Sequence, residues 1–194
     1  MLNLRKCGHK DLERYYSLLE MDFAKEEIIS KLSLHRALLN GSAELLVVYD
    51  EESSLEVAYA LVLTKNLYGY VLLKYMAVLP WYRGKGVGIA AMRLINKRYA
   101  DRQGIIAELT SFEDEDGSMI KGLRKFFARF GYVVVDSDYR IGGAPVELMV
   151  KPIKGTFEIE PVEHRIINDF YTRILNPFAM DKMIDIRPVR KPEV

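Results

Sequence analysis

The sequence predicts an α/β fold, with a mixed, mostly antiparallel sheet flanked by helices and a C-terminal helical extension. Three observations lead there. Apolar residues recur at helical spacing between residues 12 and 39, then gather into short strand-like runs between 45 and 78. A basic, glycine-rich turn joins the last of these runs to another helical pattern. A further apolar run follows that helix, completing a strand–helix–strand unit whose two strands are expected to lie parallel.

With 194 residues the chain can bury a substantial core as one domain with an appendage. Its 28 Lys and Arg nearly balance 27 Asp and Glu, so no basic field points to nucleic acid. Cys7 is the one cysteine, which excludes an intrachain disulfide framework and a Cys-rich zinc site. His9, His35 and His164 lack metal-ligand spacing, and no metal is expected. The first residues have no apolar signal core, and no run reaches membrane-spanning length. A cytoplasmic protein without membrane contact is the expectation.

Leu2 and Leu4 alternate with polar residues as a first strand. Leu12, Tyr15, Tyr16, Leu19 and Phe23 then share one helix face. A second helix is expected to bury Ile28, Leu32, His35 and Leu39, with His35 a hydrogen-bonded, partly buried imidazole, and to stop at Asn40-Gly41. Residues 45–49, 57–63 and 70–78 read as three strands of an antiparallel meander, joined by short polar links.

The next helix carries Val87, Ala91, Leu94 and Ile95 on its buried side, and 105–109 is the strand beyond it. Met119, Leu123, Phe126, Phe127 and Phe130 define a fourth helix, closed by Gly131. Residues 132–135 and 146–150 read as two more strands, linked through Gly142-Gly143 and Pro145. Beyond residue 151, Val162, Ile166, Ile167, Phe170 and Ile174 suggest an amphipathic helix ending before Asn176-Pro177. The chain divides at that point into residues 1–151 and an extension, 152–194, that packs on its own core or bridges two copies.

Two segments carry chemistry. Arg83-Gly84-Lys85-Gly86-Val87-Gly88 lets the backbone approach a ligand and aims the amides of a helix N-terminus at one spot, which suits a phosphate. An ordinary strand-to-helix turn is the alternative. The acidic run at 112–118 is either a solvated loop or an electrostatic lure for an ammonium group. It is no calcium loop, because Phe112 and Leu123 would fall where oxygen donors are required.

Ala77-Val78-Leu79-Pro80 ahead of the glycine loop, and Phe126-Phe127-Ala128-Arg129-Phe130-Gly131-Tyr132 at a helix end, are two motifs in a fixed order. With the order of elements they resemble the GNAT superfamily of acyl-CoA-dependent N-acyltransferases, over residues 2–151. The loop fits that family's Arg/Gln-x-x-Gly-x-Gly/Ala signature.

The resemblance implies acetyl-CoA as cosubstrate. Its pyrophosphate would lie on Arg83, Gly84, Lys85, Gly86, Val87 and Gly88, and its pantetheine arm along Met76, Ala77 and Val78. It implies direct transfer of an acetyl group to a primary amine of a small molecule or peptide, and a homodimer, since the family often forms one. By position in an Ala107-Glu108-Leu109 triplet, Glu108 is the expected general base, directly or through water; an ordinary solvent-facing strand residue is the alternative.

The sequence departs from the family at three places. Leu72 stands where some members carry a carboxylate, Ile120 replaces an asparagine, and Phe127 replaces the tyrosine that commonly protonates the leaving thiolate. Tyr75, Tyr132 and Tyr139 are candidates for that proton. A domain that binds acyl-CoA without efficient transfer is the second reading.

Overall fold

The computed structural model describes residues 1–110, 117–135, 139–155 and 166–186. Strand β1 (Leu2–Cys7) leads through a 3-10 turn into helices α1 (Leu12–Asp22) and α2 (Lys31–Leu39). Strands β2 (Ala43–Asp50), β3 (Glu56–Leu63) and β4 (Tyr70–Val78) follow, then α3 (Val87–Arg98) and β5 (Gly104–Thr110). Next come α4 (Ser118–Ala128), β6 (Val133–Val135), β7 (Tyr139–Ile141) and β8 (Ala144–Pro152). The extension supplies α5 (Asn168–Thr172), α6 (Pro177–Met183) and β9 (Ile184–Ile186).

The strands form one sheet in the order β1-β2-β3-β4-β5-β8-β7-β9, with β6 also on β8. Strand β4 pairs antiparallel with β3 and parallel with β5, as the crossover through α3 requires. Helices cover both faces, so the central strands are apolar throughout rather than alternating. On one face α1, α2 and the extension pack over Leu61, Leu72, Ile106 and Leu148. On the other, α3 and α4 pack over Val62, Val71, Ile105 and Ala107. The fold is therefore the mixed, mostly antiparallel α/β arrangement expected, flanked by helices.

Local expectations for α2, α3 and the link before β8 are corrected. Helix α2 starts only at Lys31, where the Ser30 hydroxyl accepts from the Ser33 amide. It buries Leu34 and Ala37 and leaves Leu32 and Leu39 60% and 58% exposed. Two apolar sets share one helical period here, and the set nearer the sheet is buried. His35 is half-buried and meets the His9 ring edge-on, with centroids 5.3 Å apart. On α3 the fourth fully buried side chain is Met92, with Leu94 only half-buried.

The link before β8 contains strand β7, turned into β8 by Gly142-Gly143 at φ 55° and 89°. Two successive left-handed residues are what a two-residue hairpin demands. The Asn176-Pro177 stop is equally a start: the Asn176 side chain accepts from the Ala179 amide 2.8 Å away and caps α6, with proline in its first turn.

Ile166, Ile167, Phe170, Tyr171, Ile174 and Leu175 join the core of their own chain, and β9 pairs with β7. Residues 112–116, Val162 and His164 lie outside the described residues. Among the described residues no helix is long and apolar enough to cross a membrane, and no three His, Cys, Asp or Glu side chains stand close enough to hold a metal ion.

Candidate active site

The sheet opens along β4. Its parallel pairing with β5 runs only from Tyr70↔Gly104 to Leu73↔Ala107. Beyond that point β4 stays with β3 as far as Val78, while β5 follows β8 as far as Thr110. A bulge sits at the divergence: Leu61 faces Tyr75 but Val62 faces Leu73, so Lys74 is the extra residue. Bulges bend a strand and raise its twist. The result is a fork flanked by the half-buried Met76, Ala77 and Val78, a strand edge that β5 no longer covers.

The glycine loop stands at the open end of that edge. Gly84 and Gly86 have φ of 74° and 76°, left-handed values that side chains disfavour, and no atom lies within 4 Å of where either Cβ would be. Gly86 is the N-cap of α3 and has no side chain to satisfy the first amides, which leaves those N–H groups available at the helix start. Lys85 is exposed, its Nζ 5.9 Å from the Tyr82 ring centroid.

Arg83 does something else. Its Nε donates to the Val78 carbonyl at 2.9 Å and its terminal nitrogen to Asp22 at 2.6 Å, while the Tyr59 hydroxyl donates to the same carboxylate. The guanidinium thus ties the loop to the end of α1, and the Arg83 amide donates to the Pro80 carbonyl.

Glu108 lies at the base of the fork. One residue beyond the last β4–β5 pair, its carboxylate meets Lys74 Nζ at 2.8 Å, and both side chains are 1% exposed. The residue as a whole is only half-buried, because its backbone is more open than its side chain. The solvent-facing alternative is therefore wrong: the carboxylate points inward.

The Tyr171 hydroxyl donates to it at 2.8 and 3.0 Å, and Tyr139 donates at 3.0 Å. These three donors make four contacts, two on each oxygen, against the roughly four lone-pair positions of a carboxylate.

Of the tyrosines the sequence offered as proton donors, Tyr75 donates to the Glu27 carbonyl and accepts from the Ile29 amide. Tyr132 donates to Asn96 on the opposite face. Only Tyr139 reaches Glu108. Phe127 is a core residue, its ring 5.1 Å from Tyr132 and 5.4 Å from Phe126, and Ile120 and Leu72 are buried apolar neighbours of the sheet.

Tyr171 was not anticipated. Its neighbours read as one apolar helix face, and nothing in local spacing says that a hydroxyl 63 residues away meets Glu108.

Burial pushes the Tyr75, Tyr139 and Tyr171 hydroxyls well above the ordinary tyrosine value, and for the last two the Glu108 charge is the next largest cause. Burial moves Tyr15, Tyr59, Tyr99 and Tyr132 the same way. With the folded value raised, the unfolded chain loses the proton first. The stabilisation is complete below about pH 10 and falls as pH rises past it, by up to about 1.4 kcal/mol per pH unit for each group. Phenolate absorbance from these seven buried tyrosines is expected to appear together with the loss of helical circular dichroism. Ionisation of these tyrosines in a fully folded chain would contradict their burial.

Residues 41–134 match the family described as the acetyltransferase (GNAT) domain. No curated protein sequence matches the chain. Solved structures do. A GNAT-family protein from Bacteroides thetaiotaomicron superposes with a TM-score of 0.68 at 19% identity, over 88% of this chain and 96% of its own. NAA60 from Arabidopsis thaliana, solved in complex with acetyl-CoA, gives 0.60 at 14% identity, over 80% and 100%. The spermidine/spermine N-acetyltransferase SpeG from Vibrio cholerae gives 0.57 at 15% identity, over 79% and 95%. At these identities the likeness is one of fold. Residues 41–134 thus match the GNAT acetyltransferase domain, and the sheet built around them shares the fold of these solved structures.

Proposed function

We propose that the protein is an N-acetyltransferase that moves an acetyl group from acetyl-CoA directly to a primary amine of a small molecule or peptide. The observation that carries this reading is the fork in the sheet with the uncapped glycine loop at its open end. An extended arm fits along an uncovered strand edge, and a pyrophosphate fits where amides converge beneath left-handed glycines. NAA60 binds acetyl-CoA and SpeG is a spermidine/spermine N-acetyltransferase, which supports the choice of donor and of an amine acceptor.

Bound acetyl-CoA supplies an activated thioester carbonyl. Met76, Ala77 and Val78 hold the pantetheine arm, and one amide of that edge stabilises charge on the carbonyl oxygen. The amides of Gly84, Lys85, Gly86, Val87 and Gly88 take the phosphates. Glu108 receives the proton that an ammonium acceptor must lose, directly or through water. Proximity at the fork contributes the rest.

The expected result is release of coenzyme A above background when purified protein meets acetyl-CoA and a broad panel of primary amines. A second reading, an acyl-CoA-binding domain without transfer, is favoured by Phe127 packing as core where the family carries an acidic tyrosine. Calorimetry beside the turnover assay separates the two. Binding without coenzyme A release identifies the binding domain.

A further inference from the structure

The acetyltransferase match ends at residue 134, yet two of the three groups holding Glu108 come from beyond it. Tyr139 belongs to β7. Tyr171 belongs to α5, in the extension, and it is fully buried in the core that the extension shares with the sheet. The Tyr171 hydroxyl donates to both Glu108 oxygens, and its ring lies 5.7 Å from the Lys74 ammonium. A second anchor fixes the same short helix: the Leu67 amide donates to Asp169 at 2.6 Å. The extension is thus seated by a polar contact on the β3–β4 link as well as by apolar packing.

We propose that Tyr171 is a positioning residue of the transfer site, and that the extension therefore completes the machinery for removing the acceptor's proton. This rests on the acetyl-transfer reading above. Lys74 and Tyr139 each meet one Glu108 oxygen and Tyr171 meets both, so together they fix the orientation in which the carboxylate meets the incoming proton. Without the Tyr171 hydroxyl each oxygen loses one contact, and the carboxylate can rotate.

In the step itself the acceptor's ammonium gives one proton to Glu108, and the freed nitrogen pair forms the C–N bond as the C–S bond breaks. The sulfur keeps the C–S electron pair and takes the nitrogen's second proton. Glu108 returns its own proton to solvent. A hydrogen bond donated to a carboxylate favours its charged form, and Tyr171 supplies two of the four that reach Glu108.

The groups facing this carboxylate are Lys74 and Tyr75 from β4, Tyr139 from β7 and Tyr171 from α5. Glu27 lies nearby, accepting from Thr110 at 2.6 Å.

The test uses the full chain and Tyr171→Phe, which removes one oxygen and keeps the ring. Tyr132→Phe is the control, a buried tyrosine whose hydroxyl bonds Asn96 on the other face of the sheet. For Tyr171→Phe, acetyl-CoA affinity by calorimetry is expected to stay within about twofold. Its kcat is expected to fall about tenfold or more, and the profile of kcat against pH to differ from wild type. Tyr132→Phe is expected to lower thermal stability and leave the pH profile in place. A Tyr171→Phe chain that loses stability but keeps the wild-type kcat and profile overturns the positioning role alone. A wild-type chain that binds acetyl-CoA and never releases coenzyme A overturns the transfer reading and this one with it.

Discussion

Replacing Lys74 by methionine is expected to destabilise the protein by about 3–5 kcal/mol, the usual cost of removing one partner of a buried ion pair. Methionine fills much the same volume, so the loss is electrostatic. Glu108 would remain enclosed, with two tyrosine hydroxyls but no cation. The same substitution in a Glu108→Gln background is expected to cost far less, because the charge left stranded is gone. That difference is the coupling energy a double-mutant cycle measures. Urea unfolding at constant m-value reads all four chains. A Lys74→Met chain within 1 kcal/mol of wild type would mean that water reaches the pair.

Gly86→Val is expected to weaken acetyl-CoA binding about 10- to 100-fold while leaving the sheet intact. The residue sits at φ 76° with open space where a side chain would go, so the penalty is conformational and not a clash. A β-branched residue held in a left-handed conformation carries about 1–3 kcal/mol of strain. If the loop relaxes to relieve it, the converging amides are lost. Gly86→Asn, which tolerates that conformation, is expected to recover most of the affinity. Trp81 gives the readout: it is the only tryptophan, it lies just ahead of the loop, and it is 84% exposed. Its fluorescence is expected to change as acetyl-CoA is added. Equal affinity in Gly86→Val and wild type would exclude the loop as the phosphate site.

Much of this arrangement was legible from the residues because it is local. The meander of β2, β3 and β4 announces itself as apolar runs separated by polar turns, and α3 follows its loop at once. The parallel placement of β5 follows from the helix between it and β4. What escaped was decided at a distance. The phase of α2 depends on which of two apolar sets meets the sheet. Strand β7 is three residues long and exists because β8 and β9 lie on either side of it, although Gly142-Gly143 was a hairpin signal in plain view. Glu108 could be located by its place in the strand, but its partners could not: Lys74 reaches it only because a bulge turns β4 at that residue. Arg83 was placed against the pyrophosphate by its position in the loop, and its engagement with Asp22 depends on where α1 ends.

The docking of α5 has a consequence for the order in which the molecule assembles. Tyr171 follows Glu108 by 63 residues, and Asp169 follows Leu67 by 102. Contacts so far apart in the chain close late and slow the search for the native state. During synthesis the N-terminal helices and the meander emerge first and fold against one another. Through that interval Glu108 and Lys74 have each other, but their lid has not been made. The helix that carries Tyr171 is translated after Lys74, Glu108 and Tyr139, so the set of partners around the carboxylate is completed from its C-terminal side.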